Sequence, residues 1–498
     1  MNTWTLEIIS WQMGIGILIA ALSVIIAYLF RIRNHLIAGC PVSRAHLTCD
    51  PGNEIAGYNS VLATINFGTE VSSVDFFERF VSSVGADVPG SIWRNRMRFV
   101  DGRMSWEEVG IWIPHEHLRV YSDIIPSGDV ETIVSELMGS PLRLDRPCWE
   151  IIFLERVREN DRIFSTCILK YHHAMADGFT MLRHMLLRSY PVEFYPRRTG
   201  LDALPGVKKR SIKHRSYTLS SIFRSVFSVI ARQSDNPSTF RASSSRYPGE
   251  QIHVAFSDME GVTVERLKGI TQSLRQNFQM QYTINDVLVA ALTIAMRDFA
   301  LSGRGTVCHG DLSAVVWVSL PQNENMEDLQ CGNSGLGFAT CALPLRIPKN
   351  DYVLETLKET QKRLAALKSS AEPVVINKAL FLIGMLPVWL GKRISAIAAD
   401  KASVSISNMA GPLEKLVWPV PPPSKRGSNV YPGSGIVDSV YFATSPPFRY
   451  GPLFSLLTYH GKVFVSVSAR AELFSRLETS QLVNQYLLNA IIKMETSL

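Results

Sequence analysis

The sequence predicts an α/β protein of one large two-lobed unit, or of two to three domains, behind an N-terminal membrane-spanning helix. Three observations carry this. The chain has 498 residues, enough for more than one ordinary core. Residues 8–30 contain no charged side chain and are mostly Ile, Leu, Ala, Val and Gly. Short β-branched runs alternate with helix-period patterns in both halves of the remainder. Hydrophobic residues make up 46% and charged residues 19%, which excludes a disordered or collagen-like chain. The net charge of +7 fits either a mildly basic surface or an anionic membrane or ligand.

Residues 8–30 are long enough to span a bilayer as a helix. Trp4, Trp11 and Tyr28 lie near its ends, where aromatic rings favour the interface. Arg31, Arg33 and His35 follow, and only Glu7 precedes, so the positive-inside bias places the bulk of the chain in the cytosol. A cleaved signal peptide would have a basic start and a shorter apolar core. Residues 37–40 resemble a lipoprotein cleavage site, but two arginines separate them from the apolar core. The expectation is an uncleaved anchor over residues 1–45, in the endoplasmic reticulum if the source is eukaryotic. Seven cysteines, odd in number and without a C-x-x-C pair, argue against a disulfide framework or a structural zinc site.

Beyond the anchor, strands are expected at residues 148–157 and 162–171, with a helix from about Phe179. These fall in a first lobe over residues 46–205. A segment over residues 206–250 joins the lobes. It carries Lys208, Lys209, Arg210, Lys213, Arg215, Arg224 and Arg232, with no acidic residue between 203 and 234. Its apolar positions Ile222, Val226, Val229 and Ile230 suit either a membrane surface or an inter-lobe crossing. Residues 234–250 read as a linker. A second lobe over residues 251–498 should hold helices at 264–275 and 284–299, the latter capped by Thr283. Strands are expected at 314–320, 336–343, 403–407, 437–444, 453–459 and 462–468, and a closing helix after about Thr479. The apolar run 379–391, broken by Pro387, is too short to span a bilayer and reads as a buried or interfacial helix.

The strongest chemical signal is Tyr171-His172-His173-Ala174-Met175-Ala176-Asp177-Gly178, between a strand and a helix. A neutral imidazole held there can take a proton from a hydroxyl. Asp177 can fix the turn by hydrogen bonding, and Gly178 can adopt backbone shapes that other residues resist. A lone core histidine would need no such pattern. A shared metal ion is disfavoured because adjacent strand residues face opposite ways. His172 and Asp177 also spell H-x-x-x-x-D, a glycerol-phosphate acyltransferase signature, but the Pro-Glu-Gly segment that accompanies it is absent. No G-x-S-x-G elbow, Walker or Rossmann glycine motif, or nucleic-acid motif stands out.

The H-H-x-x-x-D-G pattern resembles the superfamily of chloramphenicol acetyltransferase, peptide-synthetase condensation domains and wax ester synthase/diacylglycerol acyltransferases. Residues 141–150, Asn285-Asp286, Gly332-Asn333 and residues 407–412 resemble, in order and spacing, motifs of the last of these. The resemblance implies a two-lobed chloramphenicol acetyltransferase-like fold with a channel between lobes. It also implies transfer of a fatty acyl group from acyl-CoA to a lipid hydroxyl without an acyl-enzyme. By it, His173 is the general base, His172 supports the turn, and Asn285 and Asp286 line or brace the site. Ser407 and Asn408 would lie near the acyl channel. Read without the resemblance, Asp286 complements a helix dipole, and Ser407-Asn408 form a turn after a strand. The sequence departs from the family pattern at Arg143 (usually Asp), Cys148 (Leu) and Ala410 (Pro), and lacks an arginine soon after Ser319. No cofactor or metal is implied beyond acyl-CoA as substrate. The expected partners are acyl-CoA, a lipid alcohol and a membrane, not nucleic acid, and the oligomeric state is left open. The alternatives are a membrane-tethered lipid-binding protein without catalysis, or an acyltransferase for a non-lipid acceptor.

Overall fold

The computed structural model describes residues 48–50, 57–86, 89, 91–100, 103–176, 178, 181, 218–235, 239–279, 281–303, 311–319, 336–343, 352–419 and 435–498. The anchor expected at residues 8–30, Asp177, the basic stretch 206–217, Gly332-Asn333 and most of the helix expected from Phe179 lie outside the described residues. No helix among the described residues is long and apolar enough to cross a membrane.

In chain order the first half holds β1 (Ser60–Phe67), α1 (Ser73–Val84), β2 (Asn95–Val100), β3 (Arg103–Glu108), β4 (Leu118–Pro126), α2 (Ser127–Gly139), β5 (Trp149–Glu159), β6 (Arg162–His172) and α3 (Leu219–Ala231). The second holds β7 (Ile252–Ser257), α4 (Val264–Phe278), α5 (Ile284–Gly303), β8 (Leu312–Ser319), β9 (Leu336–Leu343), α6 (Tyr352–Ser369), α7 (Glu372–Met385) and α8 (Val388–Ala399). It ends with β10 (Val404–Ala410), β11 (Val417–Trp418), β12 (Gly435–Thr444), β13 (Leu453–Tyr459), β14 (Lys462–Arg470), α9 (Arg476–Gln481) and α10 (Leu488–Thr496).

Two six-stranded sheets organise these elements, in the orders β11-β12-β1-β6-β5-β4 and β7-β14-β13-β10-β8-β9. The division of strands at residue 250 has one exception. β11 and β12 leave the second half and pair into the first sheet, β12 running antiparallel to β1 with Leu62 opposite Ala443. The second lobe's core wraps α5, whose residues Val287 to Ala295 are almost wholly buried. A helix apolar on all sides needs such a position. Its N-terminus is fixed reciprocally: the Asp286 N–H donates to Thr283 Oγ1 (3.2 Å), and Asp286 Oδ2 accepts from the Thr283 N–H (2.8 Å).

Several boundaries differ from expectation for local reasons. The apolar run 379–391 is two helices, α7 and α8, because Pro387 cannot continue α7 and holds Leu386 extended. The closing helix starts earlier, at Arg476, where Ser475 and Glu478 form a capping box. The type of turn between β13 and β14 follows from His460 and Gly461, both with positive φ (48° and 73°), which matches the twist of the paired strands.

The stretch read as a linker is packed. Phe240, Arg246 and Glu250 are buried, and Arg241 pairs with Asp400 (2.6 Å). Glu250 meets Arg470 at 2.6 Å with both side chains inaccessible to solvent. A chain that crosses between two sheets must desolvate its polar groups, and it does so only with partners. Glu250→Ala would leave the Arg470 guanidinium with one more distant carboxylate, Glu472 at 3.5 Å. It is expected to cost about 3–5 kcal/mol in urea unfolding, whereas Arg143→Ala, which removes an exposed pair with Asp145, should leave the midpoint unchanged.

Candidate active site

β6 runs through the middle of the first sheet and ends at His172. There the backbone turns: the Met175 N–H donates to His172 O, and the His173 N–H donates to Asn59 O, both at 2.9 Å. Side chains on a strand alternate. Tyr171 lines an apolar space between the sheets, and His173 follows two positions on, in the turn after the strand. Lys170 and His172 have the parity opposite to Tyr171 and are fully buried. His173 is half-buried.

The two histidines therefore have different surroundings. His172 Nδ1 accepts a hydrogen bond from the Ala174 N–H (3.1 Å), so its proton resides on Nε2. Burial pushes its pKa down to about 4. It is a neutral wedge inside the turn.

The turn is braced from two sides. The Asp50 carboxylate accepts from the N–H groups of Gly57 (2.8 Å), Tyr58 (2.7 Å) and Asn59 (3.0 Å), and so holds the strand start that receives His173. Gly57 has φ +81°, and a Cβ there would lie 2.3 Å from the Leu142 carbonyl oxygen, so only glycine fits. Residues 141–150 supply the second brace. The Leu142 N–H donates to Gly57 O, and Cys148 O accepts from the His172 N–H, both at 2.9 Å. The departures from the family pattern are accommodated: Arg143 turns to Asp145 in an exposed pair, and Cys148 is a buried thiol among apolar neighbours.

The apolar space has ≈ 600 Å³ free of atoms, part of it open to solvent. Val61, Ala63 and Ile65 of β1 form one wall. Val440 and Phe442 of β12 continue it, Met409 and Leu457 come from the second sheet, and Trp418 also lines it. Gly178 also lines it, so the turn bearing His173 is flanked in sequence by two lining residues, Tyr171 and Gly178. Gly178 does not have the positive φ that the backbone argument for it required. It faces Met409: a Cβ there would meet the thioether sulfur at 3.4 Å, an ordinary contact, and a larger side chain would reach into the space.

Of the other expected residues, Asn285 and Asn408 meet across elements, Asn408 Nδ2 donating to Asn285 Oδ1 at 3.0 Å. Ser407 and Asn408 lie within β10 rather than in a turn after it. Asn408 adjoins Met409 and so ties the start of α5 to the cavity wall. Asp286 is buried, caps α5, and pairs with Lys368 (3.3 Å), a bracing position. Asp50, Asn59, Gly57, Met409 and Trp418 are the residues that sequence reasoning missed. Asp50-Pro51-Gly52 signals a turn, but a carboxylate buried against three amides has no signature in a single sequence. Among the described residues no cluster of His, Cys, Asp and Glu could hold a metal ion.

The architecture is that of the two-lobed acyltransferases. A wax ester synthase/diacylglycerol acyltransferase from Marinobacter aquaeolei VT8 matches 92% of this chain and 99% of its own, with a TM-score of 0.59 at 16% identity. The trichothecene 15-O-acetyltransferase of Fusarium sporotrichioides matches 93% and 94%, also at 0.59, with 11% identity. Sequence narrows the class further. Residues 68–275 match the wax ester synthase/diacylglycerol acyltransferase catalytic domain, and residues 332–421 the WS/DGAT C-terminal domain. Wax ester synthase/diacylglycerol acyltransferase 3 of Arabidopsis thaliana is 23% identical over 364 residues, 64% of this chain and 69% of that protein. With more than half of its length matched by the two domains, the chain belongs to the wax ester synthase/diacylglycerol acyltransferase family, and it is an O-acyltransferase of that class.

His172 makes stability pH-dependent. Its folded pKa lies below the unfolded value of about 6.5, so the unfolded chain binds the extra proton. Its contribution is full above pH ~6.5 and is lost as pH falls toward 4. His117, buried with Nδ1 against Trp149 O (2.7 Å) and likewise pushed down to about 4, behaves the same way. Urea unfolding at a series of pH values should show stability falling from about pH 6.5 to 5, above the carboxylate range, and His117→Gln should make that slope shallower.

Proposed function

We propose that the protein transfers a fatty acyl group from acyl-CoA to the hydroxyl of a lipid alcohol, a fatty alcohol or diacylglycerol, giving a wax ester or triacylglycerol. The observation that carries this reading is the apolar space between the sheets, lined by Tyr171 and Gly178 on either side of His173 in sequence. An apolar void of that character suits an acyl chain, whose burial is worth about 0.8 kcal/mol per methylene. His173 accepts the proton of the acceptor hydroxyl as its oxygen attacks the thioester carbonyl carbon. The tetrahedral intermediate then expels the coenzyme A thiolate, which takes the proton back from the imidazolium. No covalent enzyme intermediate and no cofactor is needed. His172 stays neutral and holds the turn, and Asp177 supports the same turn. The Asn285–Asn408 pair keeps the second lobe in register with the cavity.

In the same reading, residues 8–30 anchor the protein as a single span with the catalytic unit on the cytosolic side, in the endoplasmic reticulum if the source is eukaryotic. Both the acceptor and the product dissolve in the bilayer, so an enzyme held there meets its substrate without extracting it into water.

His173→Ala should lower turnover by about 10²- to 10⁴-fold with an unchanged melting temperature, since the side chain is half-buried and its backbone contact survives. Membranes containing wild type or variant, given labelled acyl-CoA and either alcohol, followed by identification of the neutral lipid, decide both catalysis and acceptor. Near wild-type turnover by the variant would remove His173 from the mechanism. Gly178→Leu should fill the space beside Met409 and shift the preferred donor toward shorter acyl chains. An unaltered chain-length profile would place the acyl chain elsewhere.

A further inference from the structure

We infer that α3, α7 and α8 together form a docking surface that seats on an anionic lipid bilayer, separate from any transmembrane span. The reading does not rest on acyl transfer; it rests on which way these helices face. On α3, Leu219, Phe223, Phe227 and Ile230 follow a helical stripe and are 69–75% exposed, while the only buried residue of the helix is Ser225. An ordinary surface helix turns its apolar face inward; this one turns it out. The Arg232 guanidinium fixes α3 to α7 through Glu372 (3.1 Å), and α7 packs on α8. Those two helices add Phe381, Leu382, Trp389 and Ile397, all exposed by 41–68%. Large aromatic and aliphatic side chains gathered on adjoining helices exceed the scattered exposure normal for a soluble surface.

Charge selects the occupant. The exposed charged residues of the three helices are all basic: Arg224, Lys378 and Arg393. Their single acid, Glu372, is buried in its pair with Arg232, and Asp400 just beyond α8 is committed to Arg241 and Arg449. Arg393 lies 6.0 Å from the Trp389 ring, so a cation and an indole are presented together. The sequence immediately before α3 adds five more basic residues between Lys208 and Arg215 and no acid. Apolar side chains for the acyl region and cations for phosphate headgroups on the same helices are the chemistry of an interfacial helix on anionic lipid.

Connectivity points the same way. Thr48 Oγ1 donates to Ser395 Oγ (2.7 Å), and Lys392 Nζ donates to Asp50 O (3.1 Å), so the chain arriving from the uncharged segment 8–30 joins the fold on α8. Asp50 in turn holds the Gly57–Asn59 amides that receive His173. A bilayer under α8 therefore lies one short connection from the catalytic turn.

The test uses the full-length protein with benzoylphenylalanine at position 227, 389 or 397, reconstituted into phosphatidylcholine vesicles containing phosphatidylglycerol and irradiated. Phospholipid adducts at all three positions, and none at Leu477, an exposed residue outside these helices, are expected. Adducts to residues 1–47 of the same chain, adducts to a second copy, or no lipid adduct would each overturn the inference. Adduct yield should fall in vesicles of phosphatidylcholine alone; an equal yield would overturn the role assigned to Arg224, Lys378 and Arg393.

Discussion

The antiparallel register of β1 against β6, with Ser60 opposite His172 and Val61 opposite Tyr171, is the constraint from which the site follows. Because side chains alternate along a strand, this register sends Val61, Ala63 and Ile65 to the cavity and Leu62 to the core shared with α2 and β7. A slip by one residue would exchange the two sets and put Lys170 where Tyr171 stands. The register is held by partners on both sides, β12 along one edge of β1 and β6 along the other, and by the Asp50 clamp at its start.

β12 couples the two lobes. By pairing with β1 it completes the first sheet, and Phe442 and Val440 complete the cavity wall. Its flanks bind the second lobe: Tyr441 stacks on Phe256 at 4.6 Å, and the Tyr459 hydroxyl donates to Val437 O at 2.8 Å. A space bounded by both sheets can exist only if neither lobe collapses onto the other. The rigid aromatic cluster of Phe67, Phe76, Phe80, Trp93, Trp149 and Trp418 supports one side, and the packing around α5 the other.

The buried charged residues that cross between lobes each find a partner, and this pairing explains why the described residues 239–250, polar enough to read as a linker, are packed. Arg241, Arg246, Glu250 and Arg470 sit where water does not reach. Each arginine donates to a carboxylate, a carbonyl or a hydroxyl from a distant part of the chain, and Glu250 accepts from Arg470. Such groups fix geometry more than they add stability, because each must first lose its hydration. The same economy governs the turn: His172 is buried neutral, so it braces His173 without placing a second charge beside it.

The sequence by itself placed those strands and helices whose signals are local, such as the strands at 162–172 and 462–470 and the helix at 284–303. β9 and β13 run over the residues expected of them, and the Thr283 cap and the break at Pro387 act within a few residues of themselves. It also determined the histidine turn, because a tandem pair followed by Gly178 is a local pattern. What it could not contain were relations between distant segments. Asp50 reads as part of a turn, yet it is the clamp on Asn59. Gly178 reads as a backbone requirement, yet it lines the cavity and faces Met409 from the other sheet. The crossing of β12 into the first sheet, and the outward face of α3, depend on which surfaces remain after the two cores have formed. Those are outcomes of packing among residues hundreds of positions apart, and no local spacing encodes them.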